Sequence, residues 1–152
     1  MFQLFKPTPE HVAMLAKLVN HPDLDWYTEQ LKKTSEQLVQ MAIDSSEHSW
    51  AMFEGDKLLA IFGLRPDQSS MLVSRAEVWV YSSKFASDYP VRFLRAARAW
   101  SDQMLAMYSE LFAYVDERFT QSVQMCRFAG FEIRETIYVG PRRCYLLEKN
   151  NV

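Results

Sequence analysis

A carboxylate and a phenol on one predicted strand are the side chains best suited to move protons. Glu77 and Tyr81 lie in the run Met71–Ser82, and the period of two along a strand puts both on the same, polar side. There Glu77 could act as a general base, directly or through a water, and Tyr81 could act as an acid. The structural alternatives are an ion pair between Glu77 and Arg75 and a tyrosine that is simply packed.

A second pair of carboxylates follows the next buried strand candidate, Leu111–Val115. Asp116 and Glu117 lie at the carboxyl end of that strand, where open α/β sheets collect their ligands. Asp116 is therefore a candidate catalytic residue. The alternative is that these two carboxylates cap the helix that is predicted to begin at Thr120.

Groups that bind anions are concentrated at the start of a long predicted helix. The preceding segment supplies Ser83, Lys84 and Ser87, and the first turns of the helix supply Arg92 and Arg95, one turn apart on one face. The free N–H groups and the positive dipole end of a helix attract anions whatever its side chains are. The pattern predicts a phosphate site, and the alternative is a solvated helix face.

The elements that must position these residues follow the order β-α-α-β-β-β-α-β-α-β-β. Thr8-Pro9-Glu10 opens a helix that Asn20-His21-Pro22 ends, and Thr34-x-x-Gln37 opens the next one. The other predicted elements are Phe2–Phe5, His48–Glu54, Lys57–Gly63, Met71–Ser82, Val91–Tyr108, Leu111–Val115, Thr120–Ala129, Phe131–Val139 and Arg143–Glu148. Hairpins followed by two strand–helix crossovers predict a mixed α/β (α+β) sheet with helices on both faces.

The composition limits the class of protein. The chain has 152 residues, 49% of them hydrophobic and 24% charged, which is typical of one globular domain spanning 1–152. The net charge of −2 argues against a nucleic-acid partner, and no basic helix or long apolar run predicts a membrane partner. We expect no signal peptide. Two cysteines and three histidines without ligand spacing indicate a reduced, cytoplasmic compartment and no metal.

The predicted order of elements resembles that of the GNAT N-acetyltransferase family over nearly the whole chain. Its most specific residues are Gly130-Phe131, which close the helix that follows Val115-Asp116. The runs Pro90–Arg95, Tyr108–Leu111 and Tyr114–Asp116 resemble more closely the GNAT-like proteins encoded by tailed bacteriophages. The chain also departs from the family, because the loop Ser82–Pro90 lacks the usual glycines, and the family's Asn and Tyr positions hold Phe119 and Cys126.

The resemblance implies that acetyl-CoA or another acyl-CoA is the cosubstrate and that it binds along Ala76–Tyr108. Val80 and Ser82 would lie beside the pantetheine arm, and a backbone N–H of their strand would hold the thioester oxyanion. The residues expected to meet the phosphates are Ser83, Lys84, Ser87, Arg92 and Arg95. Glu77 would be the base, Tyr81 would protonate the leaving thiolate, and Asp116 would be a further catalytic candidate. The aromatic residues expected to line the acceptor side are Trp26, Tyr27, Trp50 and Tyr138.

Two main functional hypotheses follow. The first is an acyl-CoA-dependent N-acyltransferase, acting on a host target if the chain is phage-encoded. The second is an interaction protein on the GNAT scaffold that binds and modulates a host enzyme, and the missing glycines and tyrosine favour it. A structural component of a virion is a third alternative. Fold alone cannot decide among them, because function resides in the site.

Overall fold

The computed structural model describes residues 2–19, 22–69 and 72–151, with the backbone alone for 22–26. The elements in this part of the chain are β1 (Gln3–Phe5), α1 (Pro9–Leu18), α2 (Pro22–Leu31), α3 (Ser35–Asp44), β2 (His48–Glu54), β3 (Lys57–Pro66), β4 (Arg75–Ser82), a 3₁₀ helix (Lys84–Asp88), α4 (Pro90–Met104), β5 (Glu110–Asp116), α5 (Thr120–Phe128), β6 (Glu132–Val139) and β7 (Arg142–Asn150). No helix of the described residues is long and apolar enough to cross a membrane.

Seven strands form a mixed sheet in the order β1-β2-β3-β4-β5-β7-β6. The β4–β5 ladder is parallel, and the β1–β2, β2–β3, β5–β7 and β6–β7 ladders are antiparallel. Between β3 and β4 the N–H of Asp67 donates to the backbone carbonyl of Arg75, and the N–H of Ser83 donates to the backbone carbonyl of Leu59. These two hydrogen bonds show that β3 and β4 also run antiparallel. The predicted mixed α/β sheet is thereby confirmed.

The described residues divide into two compact units, to each of which β4 contributes. The first unit is Met1–Arg65 with Trp79–Tyr89, and the second is Pro66–Val78 with Pro90–Val152. The core of the first unit consists of apolar side chains from α1, α3 and strands β2 to β4, namely Val12, Leu15, Leu38, Val39, Ala42, Ala51, Phe53, Leu58, Ile61 and Trp79.

Side-chain capping sets the starts of α1 and α3 in the first unit. The Thr8 side chain accepts from the N–H of His11 at 3.2 Å, and the His11 ring accepts from the N–H of Thr8. Thr34 and Gln37 repeat this reciprocal arrangement at the start of α3. Both predicted helix starts are confirmed, because a capping box depends only on residues three apart.

The region after α1 differs from the prediction. Asn20 and His21, expected to end α1, lie outside the described residues, and α1 ends at Leu18. The third residue of that pattern, Pro22, is the first residue of an additional helix, α2, which the prediction omitted. Proline is favoured at the first helical position because its missing N–H has no acceptor there and its φ is already helical. The same residue type therefore signals a stop and a start.

Lys149 connects three elements of the second unit. Its Nζ atom donates at 2.7 Å to the Ser101 hydroxyl and the Asp102 carboxylate of α4, and to the carbonyl of Ala129 at the end of α5. Gly130 follows with a φ of +105°, and a Cβ there would lie 3.1 Å from the Lys149 chain. The glycine of the Gly130-Phe131 pair is thus required both by its backbone conformation and by this buried lysine.

The predicted long helix Val91–Tyr108 is shorter in the structure. α4 ends at Met104, and the N–H groups of Ala106 and Met107 bond three residues back, to Gln103 and Met104. Leu105 and Tyr108 remain buried in this tight turn, so the apolar stripe extends past the end of the helix. Helix ends commonly tighten to such bonds where the chain changes direction.

Candidate functional site

The chain leaves β4 through a tightly bonded serine. Ser83 is buried, and its hydroxyl donates to the carbonyl of Leu58 at 2.6 Å and accepts from the N–H of Phe85 at 3.2 Å. Ser83 is therefore the N-cap of the 3₁₀ helix Lys84–Asp88. The hydroxyl predicted to meet a phosphate is engaged within the loop. Ser82, one residue earlier, is half-buried at the end of the strand.

Two lysines lie around one ring in the 3₁₀ helix. The Nζ atoms of Lys84 and Lys57 are 5.4 Å and 5.5 Å from the ring centroid of Phe85, each within cation–π range. Ser87, the other predicted hydroxyl, donates to the carbonyl of Lys84 at 2.8 Å. The structure therefore adds Lys57 to the cationic group that the sequence predicted around Lys84.

The first turns of α4 carry exposed cations. Arg92 and Arg95 are both exposed on this helix. The helix begins at Pro90, and the N–H groups of its first turn have no acceptor within the helix. Arg98, by contrast, donates to the carbonyl of Phe128 at 3.1 Å, near the end of α5.

β4 carries the residues predicted to transfer protons. Glu77 is half-buried and pairs with Phe112 of β5 at the last position of the parallel ladder. Tyr81 packs against the core of the first unit, with its ring 5.6 Å from that of Trp79. Trp79 is buried, so the side of β4 predicted to be polar is apolar at this residue. Val80, between them, is half-buried.

Arg75 is the charged centre of the start of β4. Its guanidinium lies 3.1 Å from the carboxylates of Asp67 and Glu110, 3.3 Å from Glu148, and 4.3 Å from the ring centroid of Phe112. The contact with Glu110 involves Nε, which forms no hydrogen bond with any described residue, so this attraction is one of charge alone. Arg75 thus forms ion pairs with three carboxylates at once.

Tyr114 was not predicted as a site residue. It lies on β5 two residues beyond Phe112, its side chain is 42% exposed, and the two rings meet edge to face at 5.6 Å. Partial burial, and then the negative charge of Glu77, raise the pKa of Tyr114. The period of two in Glu110–Asp116 does put Phe112 and Tyr114 on one face, but only the pairing of β4 with β5 relates them to Glu77.

Asp116 lies in a buried ion-pair cluster. Its carboxylate accepts from Arg118 at 2.8 Å and 3.1 Å, from the N–H of the same residue at 2.9 Å, and from Arg142 at 2.9 Å. These hydrogen bonds, led by that from the Arg118 side chain, hold the pKa of Asp116 far below its usual range. Phe119, the N-cap of α5, forms no side-chain cap, so the predicted capping alternative is replaced by this ion pair.

The remaining candidates are dispersed. Trp26 has no described side chain, Tyr27 packs against the core of the first unit, and Trp50 stacks on Phe62 with centroids 5.3 Å apart. Tyr138 is 72% exposed on β6. Among the described residues no three His, Cys, Asp or Glu side chains are grouped as a metal site, and neither Cys126 nor Cys144 forms a disulfide.

The architecture is similar to that of solved acetyltransferases. An acetyltransferase of the GNAT family from Streptococcus pneumoniae has a TM-score of 0.61 at 16% identity, with 99% of each chain covered. The aminoglycoside N(6')acetyltransferase from Legionella pneumophila has a TM-score of 0.75 at 11% identity, over 97% of this chain and 90% of that one. Aminoglycoside acetyltransferase AAC(6')-Ib, solved with coenzyme A, has a TM-score of 0.72 at 11% identity, over 99% and 95%.

The sequence itself gives no comparable match. No protein-family model matches the chain, and no curated protein matches it. At the identities of the structural matches, likeness establishes the architecture and leaves substrate and activity open. The chain therefore has the mixed α/β fold of the GNAT acetyltransferases.

Proposed function

We propose that the protein is an acyl-CoA-dependent N-acyltransferase, with residues 1–152 acting as one domain. The observation that carries this proposal is the short parallel ladder between β4 and β5. It pairs Arg75–Glu77 with Glu110–Phe112, and among the described residues it extends no further, although β4 continues to Ser82. The backbone of Val80 and Ser82 is thus outside that ladder, which supports its use by an extended pantetheine arm.

The cations described above support binding of the CoA phosphates. Lys84 and Lys57 flank Phe85 before α4, and Arg92 and Arg95 are exposed on its first turns. Hydrogen bonds from charged donors to phosphate are among the strongest in proteins, so either pair of cations can offset the lack of glycines. Acetyl-CoA and CoA are bound by AAC(6')-Ib, which shares this architecture.

In the proposed reaction the acceptor amine attacks the thioester carbonyl. A backbone N–H of β4 stabilises the oxyanion of the tetrahedral adduct, and Glu77 takes the proton of the amine. We assign the base role to Glu77 rather than to Asp116, because a carboxylate held by two guanidiniums is a weak base. Asp116 then positions Arg118 and Arg142. Tyr81 stays the sequence-predicted acid.

A second candidate function is an interaction protein that retains the scaffold without turnover. The hydroxyls of Ser83 and Ser87 are both occupied within the loop, which favours this alternative. The bacteriophage branch and a host target stay predictions of the sequence resemblance, and so does the likeness to a phage acyltransferase associated with quorum sensing. A host protein captured in stoichiometric amount by a variant that binds no CoA would support the interaction-protein hypothesis.

Calorimetric titration with CoA and acetyl-CoA tests the proposed function. We expect binding by the wild-type protein and a loss of affinity of about tenfold for each phosphate contact removed by Lys57→Ala or Lys84→Ala. Lys33→Ala, an exposed lysine before α3, is the matched control and should bind as the wild type does. Absence of binding at millimolar CoA by the folded wild type would remove the acyltransferase proposal. Full acyl transfer by Glu77→Gln would remove the base assignment.

A further inference from the structure

We propose that Tyr114, not Tyr81, donates the proton to the departing thiolate, in a pair with Glu77. This inference rests on the proposed acyltransferase function and assigns a second catalytic residue to it. Tyr81 packs against the core of the first unit beside Trp79, whereas Tyr114 is 42% exposed on β5. An acid in acyl transfer must reach the substrate, which favours the more exposed phenol.

The pairing of β4 with β5 brings Glu77 and Tyr114 to one face of the sheet. Glu77 is opposite Phe112 in the parallel ladder, so these two side chains point to the same side. Tyr114 follows two residues later and shares that side. With strands about 4.8 Å apart and a rise of about 3.3 Å per residue, the Cα atoms of Glu77 and Tyr114 are about 8 Å apart, within reach of both side chains.

The position of Tyr114 along β5 also suits the role. The ladder with β4 stops at Phe112, so Tyr114 is the first residue of this face beyond the last described pair. Its ring is held edge to face against Phe112, which also lies 4.3 Å from the Arg75 guanidinium. The phenol is therefore presented from a β-strand, with its ring packed against Phe112.

The surroundings keep the phenol protonated near neutral pH. Burial and the charge of Glu77 raise the pKa of Tyr114, Asp67 and Glu135 act in the same direction, and Arg75 opposes them. A phenol that retains its proton can act as an acid. Glu77, in turn, has to be ionised to accept the proton of the amine, so the proposed reaction requires a protonated phenol beside an ionised carboxylate.

The proton balance closes without another reactant. The amine nitrogen forms a bond to the acyl carbon, and its surplus proton passes to the Glu77 carboxylate. The carbon–sulfur bond breaks with both electrons on sulfur, and the Tyr114 proton neutralises the thiolate. The proton on Glu77 then returns to the phenolate, directly or through a water, and both side chains regain their starting states. The products are an amide and CoA with a free thiol.

Steady-state kinetics of Tyr114→Phe test the assignment during turnover. The variant keeps the ring against Phe112 and removes only the hydroxyl. With acetyl-CoA and either spermidine or ribostamycin as amine probes, we expect kcat to fall by about 10²-fold or more while the KM for acetyl-CoA is unchanged. The alkaline limb of the kcat–pH profile should also disappear. Tyr145→Phe, a phenol on the opposite face of neighbouring β7, is the control and should behave as the wild type.

The outcomes separate this inference from the proposed function. Wild-type protein that transfers acetyl, together with an equally active Tyr114→Phe variant of unchanged pH profile, overturns the inference alone. Folded wild type that binds no CoA overturns the proposed function and this inference with it. If the protein binds acetyl-CoA but acetylates neither probe, titration of the Tyr114 phenol tests its pairing with Glu77.

Titration of the phenol requires no turnover. The ultraviolet absorbance of the Tyr114 phenolate is obtained as the difference between the wild type and Tyr114→Phe at each pH. We expect Tyr114 to ionise above the ordinary tyrosine value of about 10, and we expect Glu77→Gln to move that ionisation to lower pH, because it removes a negative charge. An ionisation that Glu77→Gln leaves in place means that the two side chains do not interact, and it overturns the pair.

Discussion

The Nε atom of Arg142 lies 2.9 Å from Oδ2 of Asp116, and the two side chains are 5% and 1% exposed. Arg118 approaches the same carboxylate from the surface, with 67% of its side chain exposed. One carboxylate is thus shared between a buried and an exposed guanidinium at the end of β5. The two contacts should contribute differently to stability, because water can replace Asp116 around the exposed Arg118 but cannot reach the buried Arg142.

Asp116→Asn should therefore be much more destabilising than Arg118→Met. Removing the carboxylate charge takes the 2.9 Å ion pair with Asp116 away from the buried Arg142, which costs about 3–5 kcal/mol in the free energy of unfolding. Loss of the exposed Arg118 contact should cost less than about 1 kcal/mol. Urea unfolding followed by circular dichroism measures both values. Equal losses in the two variants would contradict the division between buried and exposed partners.

Gly63→Ala should destabilise the first unit through Trp79. A Cβ at Gly63 would lie 2.7 Å from Cζ2 of Trp79 and 2.7 Å from the carbonyl oxygen of His48. The indole cannot easily retreat, because its Nε1 donates to the Ser46 hydroxyl at 2.6 Å. Overpacking of this kind costs about 1–3 kcal/mol, and thermal unfolding with tryptophan fluorescence would report it.

A double-mutant cycle identifies the cause of that loss. Combining Gly63→Ala with Trp79→Phe should recover part of the penalty, because the smaller ring relieves one of the two close contacts. Gly55→Ala is the matched control, since Gly55 has a φ of +60° and open space around its Cβ position. It should show only backbone strain of about 1–2 kcal/mol. Strictly additive effects of Gly63→Ala and Trp79→Phe would exclude the indole as the obstacle.

Features that depend on neighbours in sequence were predictable, and those created by pairing were not. The capping boxes at Thr8 and Thr34 follow from residues three apart, and Gly130 follows from the end of one helix. Lys57 lies 27 residues before Lys84 in the sequence, and it reaches Phe85 only because β3 and β4 run antiparallel. No local pattern encodes such a contact.

The candidate site shows the same limit. The alternation along β4 predicted Glu77 and Tyr81 as equivalent residues of one polar side, yet Tyr81 packs on an apolar core. Tyr114 reaches Glu77 only through the β4–β5 register, which a single sequence does not contain. The alternation of one strand therefore predicts which side chains share a face, while the contacts of those side chains depend on the tertiary fold.

Cys126 should be unreactive in the folded protein. Burial raises the pKa of its thiol to about 11, so about one part in a thousand is thiolate at a pH of about 8. Alkylation by iodoacetamide at that pH should be about 100-fold slower in the native state than in urea, where an ordinary thiol pKa returns. Cys126→Ser protein, followed in parallel, assigns the signal to this residue. Equal rates in the two conditions would mean that the thiol is accessible and ordinary.

Glu110→Gln should make the second unit less sensitive to pH. A hydrogen bond to Glu148, together with burial, raises the pKa of Glu110, while Arg75 opposes the shift. The folded state therefore binds this proton more tightly than the unfolded state does. The resulting stabilisation is complete below the pKa of Glu110 in the unfolded state, about 4.3. It is lost as the pH rises through the pKa of Glu110 in the folded state. Asp67 and Arg134, which contact Arg75 and Glu148, are unchanged by the substitution.

Urea unfolding at several pH values measures this loss of stabilisation as a difference in the free energy of unfolding between Glu110→Gln and the wild type. Relative to the wild type, Glu110→Gln should gain stability as the pH rises from about 4 to 7, by about 1.4 kcal/mol for each unit by which the folded pKa exceeds the unfolded one. Glutamine retains a donor for Glu148, so the local hydrogen bond survives. Glu132→Gln, an exposed residue of β6, is the control. A difference between Glu110→Gln and the wild type that stays constant over this range would show that Glu110 does not share a proton with Glu148.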